Sequence, residues 1–146
     1  MPSLVSINVN GLNDNIKAEA IFHNINQDKP DIVFLQETHL NQITKDKVIS
    51  KKRWQGQIIQ AVSPDNYSGV AILCSDKLNA TIHSFDACRE GKYLLVDLSF
   101  NNHRFLLINL YAPAGGSKVA KRKSKFLEIK SKISTYNNIE FIILGG

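Results

Sequence analysis

Three polar side chains that could do chemistry follow directly on runs of apolar residues. Asn8 ends "LVSIN", Glu37 comes after "DIVFLQ", and Tyr111 comes after "FLLINL". Where strands end, side chains can leave the core and converge on a ligand. A carboxylate and an amide oxygen suit a hard cation such as Mg²⁺, which also binds phosphate oxygens of the substrate, and a Tyr hydroxyl can donate to phosphate. These residues therefore indicate a site for a divalent cation and a phosphate.

Taken singly, each of these residues also has a structural explanation. A Glu at a strand end can simply be solvated, and Asn10-Gly11 is a typical turn pair. Tyr111-Ala112-Pro113 can mark the end of a strand, because Pro113 has no N–H to donate to the ladder. We expect His39 at the surface or behind the site, because no second group pairs with it for nucleophilic catalysis.

Hydrophobic periodicity predicts the elements that must position these side chains. The alternating run at residues 3–9 predicts a strand, and the continuous apolar run that ends before Glu37 predicts a strand covered on both faces. Between them, the spacing of apolar residues predicts a helix from about 15 to 26, with a core face formed by Ala18, Ile21, Phe22 and Ile25.

The rest of the chain continues this mixed pattern. Residues 41–53 are polar and rich in lysine, which indicates a short helix or a loop. Strands are predicted at 55–63, 68–75, 80–87, 92–100, 103–113 and 139–145, with a hairpin turn at Asn101-Asn102 and a helix over 119–136. That helix presents Val119, Phe126, Ile129, Ile133 and Tyr136 along one stripe. The order of elements predicts an α/β fold in which helices cover the faces of sheets.

Composition indicates one globular domain and leaves the type of partner open. The chain has 146 residues, of which 43% are hydrophobic and 21% charged, and a formal net charge of +5. This charge, like the lysine-rich run at 117–125, fits either a polyanionic partner such as nucleic acid or a solvated basic surface.

The two cysteines form no metal or disulfide motif, and Cys74 is expected as a thiol in the core. We find no signal peptide and no apolar stretch that approaches a membrane span, so we expect an intracellular protein, in the nucleus or cytoplasm, without a membrane partner.

Five blocks of the chain, in this order and spacing, resemble the endonuclease/exonuclease/phosphatase superfamily. The blocks are "LVSINVNGLN", "DIVFLQETHL", "YSGVAILCSDK", "FLLINLYAPAG" and "FIILGG". They are most similar to the endonuclease domain of LINE-type retrotransposon proteins, which is itself similar to exonuclease III and abasic-site endonucleases. The resemblance implies an α/β fold of the DNase I-like kind, a four-layer α/β sandwich that is C-terminally truncated here.

The resemblance also implies a reaction and a set of site residues. It implies Mg²⁺-dependent hydrolysis of a DNA phosphodiester bond, with Mn²⁺ as a substitute ion. Glu37 is the expected metal ligand, Asn8 and Tyr111 are the expected catalytic residues, and Tyr111 positions the scissile phosphate. Asn10 is a weaker metal ligand, since the broader family frequently has Asp there. The implied partners are DNA and, by fusion, a reverse transcriptase, and the chain is expected to be a monomer.

The same resemblance leads us to expect that residues 1–146 are the N-terminal portion of one such domain. In the family, the glycine of the "FIILGG" block is followed by Asp, a hydrophobic residue and Asn, and an Asp and an Asp-His pair come later. Those positions lie beyond Gly146. Because such groups act as a unit, we expect residues 1–146 alone to be inactive or nearly so, and to expose apolar sheet surface.

Two other functions stay open at this level. One is a phosphatase of the same superfamily that acts on lipid or inositol phosphates. The other is a non-catalytic remnant of a decayed element, which could still bind through its basic face.

Overall fold

Burial on both faces of one central strand shows why this sequence builds a layered sandwich. In the computed structural model, which describes residues 2–112 and 115–146, strand β2 spans Ile32–Gln36 and is buried along its whole length. Val33 and Leu35 belong to a cluster on one face, whereas Ile32 and Phe34 belong to a cluster on the other. Successive side chains of a strand point to opposite faces, so a fully apolar strand requires cover on both sides.

The first sheet contains four strands in the order β1-β2-β4-β3. Besides β2 these are β1 (Leu4–Asn8), β3 (Gly56–Ala61) and β4 (Val70–Ser75). β1 and β2 run parallel and are joined by helix α1 (Asn15–Asp28), while β4 is antiparallel to both of its neighbours. The carboxyl ends of β1 and β2 therefore lie side by side.

The second sheet has the order β5-β6-β7-β8. Its strands are β5 (Thr81–Ala87), β6 (Tyr93–Phe100), β7 (His103–Leu110) and β8 (Phe141–Gly145). β6 and β7 form the hairpin expected around Asn101-Asn102, whose φ values of 51° and 64° suit a tight hairpin turn. β8 runs parallel to β7 after helix α3 (Val119–Ile133).

Four layers result from the packing of these elements. Phe34 and Ile72 of the first sheet share a buried cluster with Val96 and Leu107 of the second, so the two sheets face each other. The cluster on the outer face of the first sheet contains Ala18, Phe22 and Ile25 of α1. The cluster on the outer face of the second sheet contains Ile129 of α3. This arrangement confirms the predicted four-layer α/β sandwich.

Several boundaries differ from the sequence prediction. α1 continues to Asp28, and the polar segment at 41–53 contains the short helix α2 (Lys45–Val48). Helix α3 ends at Ile133 rather than near 136, and the predicted apolar stripe is only partly buried: Phe126 is 50% exposed while Ile129 is 6% exposed. The proline at position 113, read as a possible strand terminator, lies outside the described residues.

Two smaller expectations can also be compared with the fold. Cys74 is fully buried as expected, and burial raises the pKa of its thiol to about 12. No helix within the described ranges has the length and apolar character needed to cross a bilayer.

Candidate active site

The three residues singled out in the sequence lie at one end of the sandwich. Asn8 is the last residue of β1 and pairs in register with Gln36, so Glu37 emerges directly beside it. Tyr111 follows the last residue of β7 in the opposite sheet. The ends of β2 and β7 are tied together, because the Asn109 side-chain N–H donates to the carbonyl of Leu35 at 2.9 Å. The fold thus brings together groups that are far apart in the sequence.

Hydrogen bonds at both polar atoms of its amide fix the orientation of the Asn8 side chain. Its Nδ2 donates to Oε1 of Glu37 at 3.1 Å, and its Oδ1 accepts from the backbone N–H of Asn10 at 3.1 Å. The amide is therefore fixed with its nitrogen toward the carboxylate. This contact gives Glu37 a neutral donor rather than a cationic partner, which leaves most of the carboxylate's acceptor capacity unused.

An unusual backbone conformation carries Glu37 out of the sheet. Glu37 and His39 have φ values of 52° and 59°, in the left-handed region that residues other than glycine seldom adopt. Hydrogen bonds hold this turn in place: Gly11 N–H donates to the Glu37 carbonyl at 2.7 Å, and His39 N–H donates to the Ser68 carbonyl at 2.8 Å. Strained backbone of this kind persists only where the surrounding structure enforces it, and it concentrates at functional sites.

His39 belongs to the site more closely than sequence reasoning indicated. Its Nε2 lies 3.6 Å from Oε2 of Glu37, with the two side chains 24% and 19% exposed. The ring packs against the backbone of Gly11, where an added Cβ would lie 2.9 Å from Nδ1. The only signal in the sequence was its position two residues after Glu37, which does not reveal that both side chains turn to the same side.

Tyr111 faces the same carboxylate from the second sheet. Burial raises the pKa of its hydroxyl, and hydrogen bonding to Glu37 raises it further, so the hydroxyl stays protonated and remains a donor. Its backbone N–H donates to the carbonyl of Lys92 at 2.8 Å. The ammonium of Lys92 lies 5.3 Å from the centre of the Tyr111 ring, within the range of a cation–π contact. No pattern in the sequence indicated that Lys92 is a neighbour of Tyr111.

Asn10 contributes through its backbone. Its N–H orients Asn8, and its carbonyl accepts from Nζ of Lys17 at 2.7 Å. Its φ of 47° is a left-handed value that Asn tolerates better than most residues. Its side chain makes no hydrogen bond with Asn8 or Glu37, so the proposed ligand role of Asn10 stays a prediction.

Immediately behind the site, a buried hydrogen-bond network links the two sheets. Gln36 Nε2 donates to Oδ1 of Asn109 at 2.8 Å and to Oγ of Ser6 at 3.1 Å. Asn109 Nδ2 in turn donates to the carbonyls of Leu35 and Ala71 at 2.9 and 2.8 Å. Sequence reasoning read Gln36 and Asn109 only as part of polar strand ends and missed their role in fixing the two sheets relative to each other.

A cleft of about 700 Å³ opens beside these residues. Among its lining residues are Asn8, Gln36, Tyr111, Phe126 and Leu144. In the described part of the chain, no three His, Cys, Asp or Glu side chains cluster so that they could hold a metal ion. The single carboxylate of Glu37 does fit the sparse mode of Mg²⁺ binding, in which one or two carboxylates are joined by water and substrate phosphate as the other ligands.

Comparisons with known proteins agree with this architecture. Residues 5–115 match the sequence model of the Endonuclease/Exonuclease/phosphatase family. Over 146 residues the chain is 25% identical to the "Transposon TX1 uncharacterized 149 kDa protein" of Xenopus laevis, which covers 99% of this chain and 11% of that protein.

Solved structures of low sequence identity share the fold. TDP2 of D. rerio, humanized by 14 mutations, superposes with a TM-score of 0.70 at 20% identity, over 91% of this chain and 59% of that one. The same D. rerio protein complexed with a single-strand DNA product gives a TM-score of 0.68 at 17% identity, over 98% and 58%. The AP endonuclease LMAP of Leishmania major gives 0.63 at 19%, over 88% and 46%. The chain thus spans about a tenth of the transposon protein and roughly half of each structure.

Proposed function

The chain belongs to the endonuclease/exonuclease/phosphatase family, whose members are nucleases or phosphodiesterases, and we propose that it is a Mg²⁺-dependent DNA-nicking endonuclease of retrotransposon type. The observation that carries this proposal is the position of Glu37. Its carboxylate is partly exposed, is held by the neutral amide of Asn8, which lines the cleft, and lies beside the hydroxyl of Tyr111. A carboxylate that only needed charge compensation would be paired with Lys or Arg.

We assign separate roles to the residues of this site. Glu37 would hold the Mg²⁺ ion, and Asn8 orients the carboxylate through its hydrogen bond of 3.1 Å. The bound ion would supply charge stabilisation for the phosphate. The Tyr111 hydroxyl, kept protonated by its raised pKa, donates to a phosphate oxygen and thereby positions the scissile group. Asn10 would support Asn8 and contribute at most weakly to the ion.

The assignment of DNA as substrate rests on the comparisons and on charge. A transposon protein matches almost the whole chain, and one fold neighbour has been solved with a single-strand DNA product. The chain also carries a net charge of +5, which favours a polyanionic substrate. We further propose that residues 1–146 all belong to a single catalytic domain, because the two sheets share one buried core.

A nicking assay tests this function. The full-length protein, meaning residues 1–146 together with the segment that we expect to follow them, is incubated with supercoiled plasmid and Mg²⁺, and we expect nicked circles whose 3′-hydroxyl ends a polymerase can extend. Chelation of Mg²⁺ should stop the reaction. Glu37→Gln should lower the nicking rate about 100-fold or more, the order of loss expected when a group that stabilises developing charge is removed.

One control variant and two parallel assays make the result of the nicking assay interpretable. Glu19→Gln removes a carboxylate that lies on α1 and pairs with Arg53 at 2.8 Å, and it should nick at the wild-type rate. Release of phosphate from an inositol polyphosphate without nicking of DNA would replace this proposal with the phosphatase alternative. Residues 1–146 assayed in parallel test the expectation that they are inactive alone. Nicking that survives Glu37→Gln would overturn the assignment of the site.

A further inference from the structure

A second cleft, of about 430 Å³, is lined mainly by lysines, and one of them, Lys92, lies over the Tyr111 ring. We call this cleft the lysine groove and define it by Lys92, Lys118, Lys121, Lys125, Asp65 and Glu90. Lys92 precedes β6, whereas Lys118 and Lys121 lie at the start of α3, so two separate elements of the second sheet's connections form its walls.

The charges of the groove are not evenly balanced. Lys125 is neutralised locally, because its Nζ lies 2.5 Å from Glu90 and 3.1 Å from Glu128. Burial opposes its charge, yet these two carboxylates more than compensate and keep the pKa of Lys125 above its usual value. The Glu90 carboxylate is therefore already paired with Lys125.

The remaining carboxylate of the groove is also engaged. Asp65 accepts from the Ser63 hydroxyl at 2.7 Å and from the Tyr67 N–H at 2.9 Å. These bonds direct the Asp65 carboxylate into its own turn and lower its pKa, the backbone bond from Tyr67 most of all. No ion pair within the described ranges involves Lys92, Lys118 or Lys121. The charge of Lys92 helps to lower the pKa of Asp65, whereas Lys118 and Lys121 face the groove without a carboxylate of their own.

The groove is continuous with the proposed active site. The Lys92 ammonium lies over the Tyr111 ring at 5.3 Å, and Tyr111 also lines the cleft that contains Asn8. Lys118 and Lys121 are three residues apart, a spacing that places them on one side of the chain as α3 begins. The cleft that contains Asn8 is more apolar than the lysine groove, since Phe126 and Leu144 form part of its wall.

We propose that the lysine groove holds the sugar-phosphate backbone of the nucleic-acid strand on one side of the phosphate to be cleaved, independently of base sequence. This inference rests on the proposed function, since it takes Tyr111 to mark the scissile phosphate. Lysines act as flexible point charges and match no base edge, so they position a backbone without reading sequence. A concave groove between the starts of β6 and α3 fits a single extended nucleic-acid strand better than it fits a flat anionic surface.

Salt-dependent binding tests the proposal directly. The full-length protein carries Lys92→Gln, Lys118→Gln and Lys121→Gln together, and fluorescence anisotropy follows its binding to a labelled single strand and to the matching duplex. We expect the affinity to fall about 10-fold or more at moderate salt. The plot of log affinity against log salt should become shallower by about 0.7 per lost phosphate contact for the single strand, or roughly two in total.

A matched control separates local contact from overall charge. Lys29→Gln, Lys52→Gln and Lys130→Gln together remove the same charge from exposed positions outside the groove. This control should change the affinity less than the groove variant and leave the salt slope nearly unchanged. Equal effects of the two triple variants would overturn the proposal, as would a groove variant that binds like wild type. Lys121→Glu, a single change at an exposed position, repeats the test if the triple variant unfolds.

The two proposals fail in distinguishable ways. Wild-type protein that nicks DNA while the groove variant binds normally disproves the groove and leaves the function intact. Wild-type protein that binds DNA through the groove but does not nick it disproves the function and leaves the groove as a nucleic-acid surface. Groove-dependent binding to vesicles of anionic lipid, with no binding to either oligonucleotide, would disprove the nucleic-acid inference.

Discussion

Two polar networks start from adjacent residues, Gln36 at the end of β2 and Glu37 directly after it, and they differ in burial and in hydrogen bonding. Gln36 is 3% exposed and belongs to a network with Ser6 and Asn109 that ties the two sheets together. Glu37, the next residue, contacts Asn8, His39 and Tyr111, and its side chain is 19% exposed. Two adjacent residues therefore belong to networks with different roles: the Gln36 network joins the sheets, and the Glu37 network forms the proposed active site.

The difference lies in how completely each network satisfies its own groups. Asn109 uses both N–H groups and its carbonyl oxygen on protein partners, and it is 0% exposed. Glu37 receives the Asn8 amide and the Tyr111 hydroxyl as donors and has the His39 imidazole at a longer distance, but no Lys or Arg pairs with it in the described part of the chain. Saturated polar groups specify a fold, whereas a carboxylate with spare acceptors can bind a cation.

The largest expected effect comes from exchanging the side-chain types of the two neighbouring residues, Gln36 and Glu37. Gln36→Glu places a carboxylate where Asn109 Oδ1 now accepts a hydrogen bond, so a buried charge would face an acceptor. We expect it to lower the free energy of unfolding by about 3 kcal/mol or more. Glu37→Gln, the reverse change one residue later, should leave stability within about 0.5 kcal/mol while nicking is lost.

Urea unfolding of the two variants measures the contrast. Equal destabilisation by Gln36→Glu and Glu37→Gln would show that the two networks are one structural unit. That result would contradict the assignment of Glu37 to the site.

Truncation at the opposite end of the buried network should have the next largest effect. Asn109→Ala removes the side-chain partner of the Leu35 and Ala71 carbonyls and one of the two acceptors of the Gln36 amide. We expect a loss of about 2 to 3 kcal/mol in unfolding free energy, because buried polar groups then lack hydrogen bonds. Asn26→Ala, which removes a side chain whose bond to the Arg53 carbonyl is exposed, serves as the control and should cost less. A loss for Asn109→Ala no larger than that of the control would mean that water replaces the network.

A smaller effect, on activity rather than stability, is expected within the Glu37 network. Asn8→Ala removes the donor at 3.1 Å that orients the carboxylate, and we expect nicking to slow about 10-fold, or about 1.4 kcal/mol. Ser6→Ala, two residues earlier on the same strand, touches only the Gln36 network and should change nicking little. Plasmid nicking by both variants decides the point, and a slower Ser6→Ala would show that the two networks are coupled.

Periodicity in the sequence predicted the elements, and the resemblance to a family predicted the site residues, but neither could predict the network that joins the sheets. β2 and the core face of α1 follow from apolar spacing, since each element must bury one stripe or face. The pairing of Gln36 with Asn109 joins residues 73 apart in the chain and depends on how the two sheets face each other. The left-handed turn at Glu37 and His39 was equally hidden, because Glu does not favour positive φ and His, although enriched there, adopts it in only a minority of cases.

One buried hydroxyl next to Glu37 tests whether the residue after it belongs to the site or to the core. Thr38, directly after Glu37, is 0% exposed, and its Oγ1 has no hydrogen-bond partner. The hydroxyl lies against Gly69, where an added Cβ would come within 2.3 Å of it. The backbone groups of Gly69 are already used, since its N–H donates to the Gly91 carbonyl and its carbonyl accepts from the Thr38 N–H.

Thr38→Val keeps the shape of the side chain and removes the unpaired hydroxyl, so we expect the free energy of unfolding to rise by up to about 1 kcal/mol, with nicking unchanged. A destabilised Thr38→Val would show that the hydroxyl has a partner in solution. A stable variant that nicks slowly would place Thr38 with Glu37 rather than with the core.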